Sequence, residues 1–213
     1  MCRFLVLASD EPCNIRQVVV QFAQMCQGST DPGGDWQGDG WGVAWWDARG
    51  EWHVQRSLAP IWIETAVLHR LPPTCHLVVH ARSASFAEHT GNVAYNQPYV
   101  HGPYAFAFNG LLKGVRFPRK IPGAIGAEKI WVLVREQLQQ GLPPPQALEV
   151  VYTVLAQHSR EIRACNMGLS DGTGYWVWNG NPNGKTYYQL HQAQHGTLRL
   201  TCSAPFGTWA WQV

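Results

Sequence analysis

The sequence predicts a single α+β domain over residues 1–213, in which antiparallel sheets are covered by helices. Three observations lead there. Strand-like and helix-like segments alternate in the order strand, helix, hairpin, helix, strands, two helices and a strand-rich end, with no internal repeat or linker. Hydrophobic residues make up 46% of the chain and charged residues only 14%, the balance of a globular protein rather than a disordered one. A chain of 213 residues is also long enough to bury a substantial core.

The elements follow from local spacing. Residues 2–8 read as a strand that is apolar on both faces. Between Cys13 and Gln27, the positions Ile15, Val18, Val19, Phe22 and Cys26 keep helical spacing, and Gly28 is a natural stop. A loop from Gly28 to Gly40 follows and contains Asp31-Pro32-Gly33-Gly34. Trp41 to Trp46 and Glu51 to Arg56 form a hairpin around Asp47-Ala48-Arg49-Gly50. Ile61 to Leu71 reads as a short helix stopped by Pro72-Pro73. Cys75 to Ala81 and Tyr104 to Phe108 are strands. Ala127 to Gln140 is helical, with Ile130, Trp131, Val134 and Leu138 on one face, and a second helix runs from about Pro145 to Gln157. The remaining strands are Ala164–Leu169, Tyr175–Trp178, Thr186–Leu190 and Leu198–Thr201, with Gly-Asn-Pro-Asn-Gly at 180–184 as a hairpin turn.

Composition narrows the partners. Sixteen Lys+Arg against 14 Asp+Glu give a net charge of +2 with no basic run, which argues against nucleic acid or an anionic membrane. No apolar run approaches the roughly 18 residues of a membrane span. The six cysteines are scattered without a C-x-x-C pair, so neither a metal site nor a disulfide framework is signalled. A reducing, cytoplasmic setting fits, and it would keep a thiol reactive. The 11 Trp are explained by core and sheet packing.

Several short stretches carry chemistry. Cys2 follows the initiator Met1. Removal of Met1 would leave one residue with both a thiol and an α-amine, whose unperturbed pKa of about 7.7–8.0 suits it to act as general base for its own thiol. In Asp39-Gly40-Trp41-Gly42 the glycines permit close backbone approach at a strand entry. His80-Ala81-Arg82-Ser83-Ala84-Ser85 places a guanidinium at the end of an apolar strand, where it can hold a carboxylate or pair with an acid elsewhere in the chain. Asn96-Gln97-Pro98-Tyr99 precedes Asn109-Gly110. That last pair has the form of a turn, but it also offers a side-chain amide beside a backbone N–H, the two donors an oxyanion hole requires.

Taken in order, these stretches resemble the class-II glutamine amidotransferase family of N-terminal nucleophile hydrolases, most nearly its small stand-alone γ-glutamyl hydrolase members. The resemblance is clear from residue 2 to about residue 140 and weaker to the end, where Cys202-Ser203-Ala204-Pro205-Phe206 has Ala204 in place of a Glu. It implies a four-layer αββα sandwich of two facing antiparallel sheets. It also implies Cys2 as nucleophile, Asn109 and Gly110 as oxyanion hole and Arg82 as carboxylate ligand, with Trp41 and Gly42 shaping the pocket. His80, Ser85 and Asn96 fall at wall or supporting positions. The implied reaction is hydrolysis of a glutamine or γ-glutamyl amide through a thioester on Cys2, with no cofactor. Alternatives are a glutaminase subunit supplying ammonia to a separate synthase chain, since 213 residues leave no room for one, or a catalytically weak ligand-binding relative. Two departures from the family pattern stand out. Gly126 occupies the place of an Asp that binds the substrate α-ammonium, leaving Glu128 as the nearest acid, and Phe108 precedes Asn109 where His is frequent.

Overall fold

The computed structural model describes residues 1–28 and 36–213; the predicted loop motif Asp31-Pro32-Gly33-Gly34 lies outside the described residues. Among the described residues, ten strands form two sheets. β1 (Arg3–Cys13), β2 (Trp41–Trp46), β3 (Trp52–Ser57), β4 (Thr74–Ala81), β9 (His191–His195) and β10 (Leu198–Cys202) build the first, in the order β3-β2-β4-β1-β10-β9. β5 (Tyr99–His101), β6 (Tyr104–Lys113), β7 (Glu161–Ser170) and β8 (Tyr175–Gly180) build the second in sequence order. Every pairing is antiparallel.

Alternation along each strand sorts side chains into layers. On β1, Leu5 and Leu7 join Val19, Phe22 and Cys26 of helix α1 (Arg16–Gly28) in one core. Phe4 and Val6 turn the other way, toward Ala105 and Ala107 of β6. Phe106 and Phe108 of β6 face helices α3 (Gly126–Gln139) and α4 (Pro144–His158), where Ile130, Trp131, Leu148 and Leu155 bury them. The order of layers is therefore helix, sheet, sheet, helix, the αββα sandwich expected. Small residues let the two sheets approach. A Cβ on Gly168 of β7 would lie 2.8 Å from Val6 Cγ1, closer than packed side chains tolerate.

Four expectations change. Gly-Asn-Pro-Asn-Gly at 180–184 is not a hairpin turn, because the strands before and after it, β8 and β9, belong to different sheets. The helix predicted from Ile61 to Leu71 is a single 3-10 turn at Ile61–Ile63 followed by the four-residue α2 (Thr65–Leu68). Glu64 between them leaves helical geometry at φ −105°, ψ 33°, and its carboxylate accepts the Trp41 indole N–H at 2.7 Å. The strand predicted at Thr186–Leu190 is a 3-10 turn at Thr186–Tyr188. Its carbonyls are taken by side chains at the end of the sandwich, that of Tyr187 by Arg3 Nη1 at 3.1 Å and that of Tyr188 by Asn166 Nδ2 at 2.6 Å. Asn109-Gly110 is not a turn. It sits inside β6, opposite Asn166 and Cys165 of β7, and the strand continues to Lys113.

Candidate active site

The site lies where the start of β1, the end of β4 and the middle of β6 meet. Cys2 Sγ rests against the backbone of Ser83, accepting its N–H at 3.4 Å and lying 3.4 Å from its carbonyl oxygen. Burial raises the Cys2 thiol above its ordinary pKa, against the opposing pull of the Ser83 N–H, the chain's terminal ammonium and Arg82. A neutral thiol of this kind needs a base to become a nucleophile.

The segment after β4 is held in place by the stretch before β2. The Asp39 N–H donates to the Arg82 carbonyl at 3.0 Å, and the Arg82 N–H donates to Gly40 at 2.8 Å. Asp39 Oδ2 accepts the Ala84 N–H at 2.7 Å. Arg82 is only 5% exposed. Its Nη2 donates to the His89 carbonyl at 2.6 Å, while Nη1 is buried without a hydrogen-bond partner among the described residues. Among the described residues no carboxylate pairs with it. The internal ion pair that the sequence left open is not formed there. A buried cation without a counter-charge is costly, so this guanidinium is suited to an anion arriving from outside.

Asn109 is fully buried, and neither its Oδ1 nor its Nδ2 has a partner among the described residues. Two-residue alternation from Ala105 and Ala107 puts its side chain on the inter-sheet face, the face that also carries Phe4. Gly110 follows in the same strand and lines the cavities that Cys2 opens on.

Two cavities meet at Cys2, Ser83 to Phe86 and Gly110 to Leu112. One, of about 280 Å³, also takes in Arg82, Gln97, Phe108 and the first turn of α3. The other, of about 510 Å³, extends past Met1, Lys113, Arg163 and Tyr188. The structure thus brings Cys2, Arg82, Ser85 and Gly110 around one space. Trp41 and Asn96 are elsewhere. The Trp41 ring is fully buried against the α1 side of the first sheet, so it does not shape the wall beside Cys2 as expected. Asn96 donates to the Ser57 carbonyl at 2.6 Å and anchors the end of β3.

Gly42 acts through a neighbour. A Cβ there would lie 2.3 Å from the Gln97 carbonyl oxygen, so only glycine lets that backbone lie against β2. Gln97 in turn clamps both backbone groups of Phe108, accepting its N–H at 2.6 Å and donating to its carbonyl at 3.3 Å. This side chain fixes the residue just before Asn109 and was not singled out from sequence, although its signal was present in Asn96-Gln97-Pro98-Tyr99.

His80 pairs with Gly42 and is fully buried. Burial, followed by the nearby Arg82 charge, pushes its imidazole down to about 3, against an opposing contact with the Phe108 backbone. The ring is neutral at pH 7 and supports the wall without supplying a charge. Because the unfolded chain takes up this proton near pH 6.5 and the folded one does not, stability should fall as pH drops from about 6.5 toward 3. His76 and His191, also lowered by burial, act with the same sign. At pH 4.5, His80 should account for about 2–3 kcal/mol of lost stability. Denaturant titrations of His80→Leu against wild type from pH 7 to 4.5 check this; parallel curves would refute it.

Among the described residues, donor atoms of Asp47, Glu51 and His53 lie within 4.8 Å of one another at the tip of the β2–β3 hairpin, where none of them lines either cavity. No helix among the described residues is long and apolar enough to cross a membrane.

Two facing antiparallel sheets between helical layers make this an N-terminal nucleophile hydrolase fold. The chain belongs to the class-II glutamine amidotransferases, whose family profile matches residues 1–204. It is thereby an amide-hydrolysing enzyme with a glutamine-like substrate. Solved structures share the fold at low sequence identity. A glutamine aminotransferase class-II domain protein from Silicibacter pomeroyi is 16% identical, with a TM-score of 0.61 over 100% of this chain and 91% of that one. The glutamine phosphoribosylpyrophosphate amidotransferase of B. subtilis, complexed with ADP and GMP, is 14% identical with a TM-score of 0.60; it matches 95% of this chain but only 42% of its own. A protein described as a predicted glutamine amidotransferase from Pseudomonas aeruginosa PA01 is 16% identical, with a TM-score of 0.51 over 99% of this chain and 94% of that one. No curated protein sequence matches the chain.

Proposed function

We propose that this chain works as a single cytoplasmic unit over residues 1–213 and hydrolyses a glutamine or γ-glutamyl amide through a thioester on Cys2. The observation that carries the reading is the shared cavity: Cys2, Gly110 and a buried Arg82 that has no carboxylate partner among the described residues line one space. Removal of Met1 frees the Cys2 α-amine, which takes the thiol proton as the sulfur attacks the amide carbon. Asn109 Nδ2 and the Gly110 N–H receive the developing oxyanion, and Arg82 holds the substrate carboxylate. The C–N bond breaks as the α-ammonium returns its proton to the leaving amine. Water then attacks the thioester, with the α-amine again as base, and releases the acid and the free thiol. No cofactor enters these steps.

Intact mass spectrometry tests the reading directly. The active protein should lack one methionine residue and should gain a single covalent adduct on Cys2 from a glutamine-like electrophile. Full activity with Met1 retained would overturn it. The likeness to the longer B. subtilis amidotransferase, of which this chain matches 42%, favours a second reading, in which ammonia passes to a separate synthase chain. In that case glutaminase turnover should rise when the synthase is added.

A further inference from the structure

We propose that the substrate is neutral where free glutamine carries its α-ammonium: an α-N-acylated glutamine or γ-glutamyl amide, whose acyl group fills the apolar end of the cavity beside Arg82. The proposal rests on the amidohydrolase reading above and names the substrate class of that site.

Charge is the first argument. The cavity of about 280 Å³ is lined by the cations Arg82 and Lys129 and by the His89 ring, and among the described residues no Asp or Glu lines it. The first turn of α3 forms part of the wall through Gly126, Ala127 and Lys129. A helix N-terminus carries partial positive charge, so it too disfavours an ammonium. A carboxylate is well served here by Arg82 Nη1, which has no hydrogen-bond partner among the described residues. An ammonium on the adjacent carbon would lose its hydration beside these cations, with the Asp39 carboxylate behind the wall already accepting the Ala84 N–H.

Glu128 does not supply the missing acid. Its Oε2 accepts the N–H groups of Ala124 at 2.7 Å and Ile125 at 3.2 Å, closing the entry to α3. The residue faces a separate surface depression with Arg56, Tyr99 and Trp131. Glu128, the nearest acid in sequence, is thus spent on the entry to α3.

Shape is the second argument. The same cavity has apolar walls of Phe108, Leu112, Phe117, Ile125, Ile130 and Leu155. Free glutamine has no apolar group to fill such a space, whereas an acyl chain on its nitrogen does. The volume lies near the lower end of the ~300–1,000 Å³ range of small-molecule pockets, which suits a short acyl group. Gly126 keeps the wall open, since a Cβ built there meets no atom within 4 Å. Acylation removes the ammonium charge and places the apolar group next to these side chains in one change.

The test compares kcat/KM for ammonia release from L-glutamine, N-acetyl-, N-butanoyl- and N-benzoyl-L-glutamine, using processed full-length protein. At least one N-acylated substrate should exceed glutamine by tenfold or more. Glutamine preferred over every acylated form would overturn the proposal and leave the amidohydrolase reading standing. Failure to cleave any of the four, with Cys2 inert to electrophiles, would overturn both. A Gly126→Asp variant adds an independent readout, because the open space accepts the side chain and a first-turn Asp favours the helix. It should shift the preference ratio toward free glutamine by about tenfold; an unmoved ratio counts against the proposal.

Discussion

Replacing Cys2 with alanine is expected to reduce amide hydrolysis by at least about 10⁴-fold while leaving the thermal midpoint nearly unchanged. Losses of this size are typical when a covalent nucleophile is removed, because the remaining donors and binding groups cannot form the intermediate. The folded state should tolerate the change. The Cys2 sulfur meets the protein mainly through two long contacts of 3.4 Å to the Ser83 backbone, and alanine removes only that atom. Alanine at position 2 also leaves Met1 removable, so the variant separates the thiol's chemistry from processing. The wild-type rate should climb with pH as the α-amine that serves as base loses its proton. Continuous ammonia-release assays on both proteins, with melting curves alongside, check the pair of expectations. Turnover by Cys2→Ala within tenfold of wild type would remove Cys2 from the mechanism.

Part of the candidate site is legible in local sequence. Cys2, Arg82 and Gly110 each lie in or beside an apolar strand and line one cavity, whereas Asn109, turned to the inter-sheet face, lines neither cavity. The fold class followed from the same patterns, since α1, α3 and α4 each present one apolar stripe to a sheet. What could not be read were contacts that depend on distant partners. Trp41 appeared to belong to the pocket because it adjoins Gly42, yet alternation sends its ring toward α1, where Glu64 accepts its N–H at 2.7 Å. The role of Gly42 is visible only when the Gln97 carbonyl is seen against it. Asn109-Gly110 has turn chemistry in isolation, but pairing with β7 overrides that preference. The same holds at Thr186–Tyr188, where side chains from β1 and β7 take backbone acceptors that a strand would have used. Local propensity loses wherever a long-range partner fixes the backbone first.

Asn109→Leu is expected to lower kcat by about 10²–10³-fold, the usual effect of removing one oxyanion donor, with a smaller change in KM. The donor acts on charge that develops only in the transition state, so ground-state binding through Arg82 should persist. Stability should move the opposite way. Asn109 is fully buried, and neither amide atom has a protein partner among the described residues, an arrangement that costs about 1–3 kcal/mol in a folded interior. Leucine is close to asparagine in shape and carries no group to desolvate, so the variant should unfold at an equal or higher denaturant concentration than wild type. Asn166, opposite on β7, spends its Nδ2 on the Tyr188 carbonyl at 2.6 Å. Asn166→Leu should therefore destabilise the protein, and that contrast separates a donor kept for chemistry from one kept for structure. Steady-state kinetics and urea titrations on both variants decide the matter. An Asn109→Leu protein that retains kcat, or that loses stability as Asn166→Leu does, would assign Asn109 a structural role and leave the oxyanion without its side-chain donor.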